Sequence, residues 1–470
     1  MNQYGKSIIV FVLFFSLQIC FSVQSILWGA EPVSKQANIP LKWEDCAGAF
    51  PEFFKNTQKK EFLNNNAGNQ WPLLFSWTSS SHVEARYPAY QNSPFMTLMG
   101  IRVYEILCRF SLKDNLLNSI YFSIYNRGDS QGTVTKEEFM RNLLYLDQEI
   151  SKLAGTAGEF QSEQVARVPV NRKVWIDSQK YLAYVLLWSY TEKSKKFVPE
   201  FIQLDVMRFD PVRDPRKQPL DGLLITEKPR AKTLIQNVSR NTAGDIWIQN
   251  IPMVDQGAKG YCAAAVAERV LRYFGVQDIN QHRIAQWLGT DAQRGTSDAQ
   301  MIEAFRKVGT AYGVRLNPEY IRFRSLGDLE KLLKKYNKEA KKYDQKKVMP
   351  AVQNRAVDIN ATLLSMHPQI LRQVMRDESL AQKSFIKSIQ GSVEKGIPMV
   401  WCVTLGLLPE ENLSPENRGG HMRLIIGVNP KRKEIIYSDT WGIKHEIKVM
   451  SYEDAFMMTN SLYRLEPKKK

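Results

Sequence analysis

Hydrophobic and polar positions change rhythm several times along the chain. Asn2 to Lys6 is a polar start with one cation, and Ile8 to Ile19 is a nearly unbroken apolar run. These read as the n-region and h-region of an export signal. The small residue Ser25, two positions after Val23, offers the cut, so residues 1–25 are expected to be a signal peptide. Extending the run to Leu27 reaches about the 20 residues that a membrane span needs, which makes an uncleaved anchor the alternative. Ser16, Gln18, Ser22 and Gln24 dilute that second reading. Lipid attachment at Cys20 is disfavoured because Ile19 stands where a small residue belongs.

From 41 to 210 strand and helix signals are mixed. Partial alternation over Ile101–Cys108 and Ser119–Tyr125, with Lys113-Asp114-Asn115 between them, predicts a hairpin. Thr135 followed by Glu138 is a capping box, and Phe139, Leu143, Leu146 and Ile150 recur behind it at helical spacing. Two further strands are predicted over Tyr181–Tyr190 and Glu200–Phe209, with a turn around Ser194. The expectation is an α+β domain built on a mostly antiparallel sheet. Pro211, Pro215, Pro219 and Pro229 among alternating charges read as a linker over 211–242, followed by a second domain over 243–470.

Composition narrows the class. A chain of 470 residues suggests two to four domains, and 44% hydrophobic with 24% charged residues excludes a disordered or collagen-like protein. Five cysteines are too few for a disulfide scaffold and form no zinc-ligand spacing. Cys46 and Cys108 are a possible pair in an oxidising compartment, with free thiols the equal alternative. A net charge of +16 favours anionic surroundings. Export argues against nucleic acid and points instead to anionic envelope polymers. Asp129, Gln131 and Glu138 imitate a calcium loop, but Arg127 occupies its first ligand position and defeats it. No cofactor motif is present, and no metal is expected.

Chemistry concentrates after Gly244. A strand around Asp245–Ile248 runs into a glycine-punctuated loop that delivers Cys262 to the start of a helix, Ala263–Phe274, stopped by Gly275. A thiol there meets unpaired N–H groups and the positive end of the helix dipole, so its pKa is expected to fall. Gln256, six positions upstream, offers a side-chain amide that can join the Cys262 N–H in holding an oxyanion. His421 begins an apolar strand after two glycines and is the candidate base. The turn Asn429–Lys433 returns a second strand, Glu434–Tyr437, whose end presents Asp439 to orient the imidazole.

The order Gln, Cys, His, Asp resembles the papain-like cysteine peptidases, with its Gln-Gly-x-x-Gly-Tyr-Cys, His-x-x-x-x-x-Gly and Asp-x-Trp-Gly blocks. In detail it is most similar to the bacteriocin-processing-like family of bacterial cysteine peptidases, over roughly the last 230 residues. The resemblance implies Cys262 as nucleophile, His421 as general base, Asp439 as orienter and Gln256 as oxyanion donor. It also implies an α+β fold in which a helical half carrying Cys262 faces a sheet half carrying His421 and Asp439. Papain has Asn where this chain has Asp439. Members that mature bacteriocins carry membrane spans and an ATP-binding cassette; this chain has no phosphate-binding loop, so their leader specificity is not carried over.

The stretch from Cys262 to His421 is long for such a domain, and an insertion there is placed to shape or cover the cleft. Its lysines between Leu329 and Lys347 read as a solvated helical face. His282 is expected on a surface helix, and His367 and His445 lack partners at metal spacing. Cys402 reads as a core thiol in a strand and Trp441 as packing beside the triad. The expectation is an exported cysteine peptidase, secreted or periplasmic, acting on a peptide or protein; membrane attachment requires an uncleaved N-terminus. A noncatalytic envelope binding protein on the same scaffold is the alternative. In a third reading the N-terminal domain is an inhibitory prosegment, removed at the linker.

Overall fold

A computed structural model of the chain describes residues 41–42, 75–88, 96–127, 134–165, 168–193, 196–218, 231–257, 259–276, 279–290, 296–297, 299–303, 309, 312–353, 355–413 and 417–468. The expected signal peptide and Cys46 lie outside these residues, as does the 128–133 portion of the calcium-loop mimic.

Among the described residues, the first half is built on an eight-stranded, wholly antiparallel sheet, beside a separate three-stranded one. Its strands are β1 (Ser76–Trp77), β2 (Glu84–Tyr87), β3 (Glu105–Phe110), β4 (Leu117–Asn126), β5 (Glu159–Val165), β6 (Val168–Asp177), β7 (Leu182–Lys193) and β8 (Lys196–Arg208), ordered β1-β2-β3-β4-β8-β7-β6-β5. The predicted hairpin exists as β3–β4. The expected single strand over Ile101–Cys108 is divided, because Ile101–Val103 joins a small separate sheet while β3 begins at Glu105. The predicted capped helix is α1 (Lys136–Ala154), with the Thr135 hydroxyl accepting from Glu138 N–H.

Period-two alternation gives this sheet two unlike faces. Ile120, Phe122, Leu182, Tyr184, Leu204 and Val206 share an apolar core with Phe139, Leu143, Leu146 and Ile150 of α1. The neighbouring positions Tyr121, Ser123 and Gln203 are buried on the other side, which a helix of the second half covers.

Of the stretch read as a linker, residues 211–218 are tied to the first sheet through Arg216–Glu159 and an Arg172 bond to the Gln218 carbonyl. Val238–Arg240 (β9) instead forms an edge strand of the second sheet. The second half continues with β10 (Ile246–Ile248), α2 (Cys262–Tyr273), α3 (Gln281–Leu288), β11 (Val314–Ile321), α4 (Leu326–Ala340), α5 (Pro368–Arg376) and α6 (Ser379–Val393). It ends with β12 (Met399–Leu405), β13 (Gly419–Asn429), β14 (Glu434–Ser438), β15 (Lys448–Ser451), α7 (Tyr452–Met458) and β16 (Thr459–Pro467). The sheet order is β9-β10-β13-β12-β16-β11, with β14 pairing β13 and β15.

This sheet is apolar on both sides. Met422, Leu424 and Ile426 of β13 meet Ala263, Val266, Val270 and Leu271 of α2. Ile425 and Val428 of the same strand join a second core with α4 to α7. The long stretch between Cys262 and His421 therefore supplies two strands of this sheet and helices α4 to α6 of the far face. Its lysines follow the expected pattern, since Leu329, Leu332, Leu333 and Tyr336 are buried while Lys331, Lys334, Lys335 and Lys338 are exposed.

Candidate active site

The loop before α2 is fixed from two directions. Gln256 is fully buried: its N–H donates to the Thr440 carbonyl at 2.8 Å, its Oε1 accepts from the Thr440 hydroxyl, and its Nε2 donates to the Lys259 carbonyl at 2.8 Å. One of its two amide hydrogens is thereby used, and the second remains for another acceptor.

Cys262 is the first residue of α2. Tyr261 at the N-cap makes no side-chain capping bond, which leaves first-turn N–H groups to the thiol. The N–H groups of Met422, Ala263 and Cys262 itself do favour the thiolate, as the sequence suggests. Burial outweighs them. With Cys262 only 1% exposed, desolvation pushes the thiol up to about 12, and the charge of Asp439 adds to the rise. The expected fall in pKa is thus reversed in this conformation, because the helix terminus competes with the loss of water.

His421 lies at the start of β13, opposite Val403 of β12. Its Nε2 is 2.6 Å from Asp439 Oδ1, leaving Nδ1 as the ring nitrogen not engaged by the carboxylate. The hairpin register explains the pairing. Leu424 faces Ser438 at the end of the pairing, and the chain just beyond it brings Asp439 to His421 and Arg423. The Trp441 ring stacks on the imidazole with centroids 4.2 Å apart and planes within 1°.

Asp439 is fully buried, which opposes its ionisation, but Arg423, His421 and the Thr440 N–H prevail and hold it well below the usual carboxylate range. Arg423 Nε is 2.8 Å from Asp439 Oδ2, an ion-pair contact without hydrogen-bond geometry. The same guanidinium reaches Glu410 at 2.9 Å, and Glu410 accepts from the Tyr437 hydroxyl at 2.6 Å. Sequence reasoning missed Arg423, Glu410 and Tyr437. The signal was present: an arginine two residues after His421 shares its face of the strand, and inside an apolar run it requires an acid.

The structure brings His421 and Asp439 into contact and sets Gln256 against Thr440, the neighbour of Asp439. Cys262 shares a core with Met422, the residue after His421; no hydrogen bond joins its Sγ to the imidazole. Such pairs commonly tighten only when substrate binds. His445 is buried edge-on to Trp441, and burial, with Lys448 and Arg423, lowers it to about 4. It therefore stays neutral near pH 7. His367 sits at the N-terminus of α5, and its backbone N–H meets the Tyr336 hydroxyl. Cys402 is fully buried in β12. Among the described residues, no group of three or more His, Cys, Asp or Glu side chains is placed to hold a metal ion.

His282 departs from its expected place. It is on a helix, α3, but only 3% exposed, with Nε2 2.7 Å from Glu105 and its ring stacked on Tyr121. The reason is that α3 buries two sides: Ile284, Ala285 and Leu288 face the α2 core, while Gln281, His282 and Gln286 meet polar groups.

Compared with family models, residues 248–464 match that of the peptidase C39 like family. The match spans Gln256, Cys262, His421 and Asp439. No curated protein matches the chain.

Proposed function

Since residues 248–464 are a C39-like, papain-like cysteine peptidase domain, we propose that the chain is an exported cysteine peptidase cutting amide bonds in a peptide or protein. The carrying observation is the 2.6 Å contact of His421 Nε2 with Asp439, on the strand whose next residue, Met422, shares a core with Cys262. That contact fixes the ring and leaves Nδ1 to take a proton.

In this reading the Cys262 proton passes to His421 and the thiolate attacks the amide carbonyl carbon. The resulting oxyanion is held by the Cys262 N–H and the remaining Gln256 amide hydrogen. His421 then protonates the departing amine, leaving an acyl-enzyme. Water, losing its proton to His421, attacks the acyl carbon; the acid leaves and the thiol is restored. Asp439 stays ionised throughout and stabilises the imidazolium. Export rests on the apolar run Ile8–Ile19. Among the described residues no helix is long and apolar enough to cross a membrane.

One observation favours the alternative of a noncatalytic binding protein: a buried thiol with no imidazole bond. Labelling the purified full chain with a thiol-directed peptidase probe from pH 4 to 9 separates the two readings. Selective labelling at Cys262 that collapses in His421→Ala supports the peptidase. Labelling no faster than at Cys402 sinks it.

A further inference from the structure

The first sheet reaches into the loop that carries the nucleophile. Glu105 of β3 is fully buried and receives Arg86 of its own sheet at 2.6 Å. Its other contacts come from the peptidase half, Lys259 Nζ at 3.0 Å and His282 Nε2 at 2.7 Å. Burial opposes the charge of Glu105, but Lys259, Arg86 and His282 hold its carboxyl well below the usual range. On the neighbouring strand, three positions past the Ser123 that pairs with Glu105, Asn126 of β4 accepts from the Tyr261 hydroxyl at 2.8 Å and pairs with the other nitrogen of His282.

Lys259 and Tyr261 both lie in the short loop between Gln256 and Cys262. The Lys259 carbonyl is also the acceptor for Gln256 Nε2. A continuous chain of contacts therefore runs from Glu105 through Lys259 to the Gln256 amide, and a second runs from Asn126 to the residue that precedes the nucleophile. The loop backbone is moulded to this sheet as well. Gly257 has φ +66°, and a Cβ there would lie 2.1 Å from Arg86 Nη2, so a side chain would displace the guanidinium.

We infer that Glu105 and Asn126 are positioning residues of the peptidase site, which makes the first sheet a working part of the active enzyme rather than a removable prosegment. The inference rests on the peptidase reading. Its content is geometric: the first sheet holds the Gln256–Cys262 loop so that the amide and the Cys262 N–H converge on one oxyanion. A buried carboxylate shared by two cations and an imidazole is costly to desolvate, and fixing one register of two surfaces is the best-attested use of such a group.

The test uses the full chain and two reagents that differ in what they ask of the site. Iodoacetamide alkylates the Cys262 thiolate without forming an oxyanion, whereas acylation by a p-nitrophenyl ester, followed by its p-nitrophenol burst, passes through one. Glu105→Gln should leave the alkylation rate and its pH profile within about twofold while slowing acylation tenfold or more, the loss expected when an oxyanion donor is misplaced. Tyr261→Phe, which deletes only the hydroxyl bound by Asn126, keeps the packing and should show a smaller loss of the same kind.

Equal losses with both reagents would mean general loosening and would overturn the inference. Unchanged acylation in both variants would overturn it too. If wild type reacts with neither reagent faster than Cys262→Ala, the peptidase reading itself falls, a result distinct from either of these.

Discussion

Two buried carboxylates, Asp439 and Glu105, are built alike and serve different ends. Each is fully buried, each meets a histidine Nε2, at 2.6 and 2.7 Å respectively, and each is kept ionised by a buried arginine. Asp439 draws its partners from one hairpin, with His421 only 18 positions away. Glu105 draws two of its partners from 154 and 177 positions away, across the junction of the two sheets. The same electrostatic device orients the His421 ring in one place and fastens two halves of the molecule in the other. What distinguishes them is reach along the chain rather than chemistry.

Removing the acids is the sharpest way to break the comparison. Asp439→Ala strands Arg423 beside Glu410 alone and frees the imidazole. It should slow ester acylation by about 10²- to 10⁴-fold and cost about 3–5 kcal/mol in urea melts, the range for opening a buried ion pair from one side. Glu105→Ala should cost a similar amount of stability but much less acylation. Parallel kinetic losses in the two variants would erase the distinction drawn above.

A smaller effect is expected at Glu268, on the face of α2 toward Glu84 and Arg109. Burial, aided by Glu84, raises this carboxyl to about 7 against the opposing pull of Arg272 and Arg109. Its folded-state pKa lies above the unfolded value, so the folded form holds the proton and stability falls as pH rises from about 4.5 through 7. Glu268→Gln should therefore be near neutral at pH 4 and stabilising at pH 8, by at most about 3 kcal/mol. Thermal melts at the two pH values check this, and a pH-independent difference would contradict it. Smallest is Trp441→Leu, which removes the stacked ring from His421 and should cost about 1 kcal/mol, with acylation more affected than alkylation. Equal effects on the two reactions would reduce Trp441 to packing.

This contrast in reach also separates what the sequence reveals from what it hides. Cys262 after a glycine loop, and His421 with Asp439 on the two arms of one hairpin, follow from local pattern. The capped helix α1 and the β3–β4 hairpin are legible for the same reason: their determinants lie within a few turns of chain. The burial of His282 is not, because nothing near it announces Glu105. A partial signal exists, since Glu105 opens the apolar run Ile106-Leu107-Cys108 and a charge there demands a partner. The identity of that partner is a property of the assembled halves. The thiol's raised pKa was likewise hidden, because propensity places a cysteine at a helix terminus but does not say how much water reaches it.

The seclusion of Cys262 bears on what can react with its sulfur. Disulfide exchange and peroxide attack both proceed through the thiolate. Burial raises the Cys262 thiol and so disfavours that form, and Cys108 and Cys402 are equally enclosed. Enclosure thus shields the sulfur from oxidants, and whatever opens the site to a reagent lifts that shield as well.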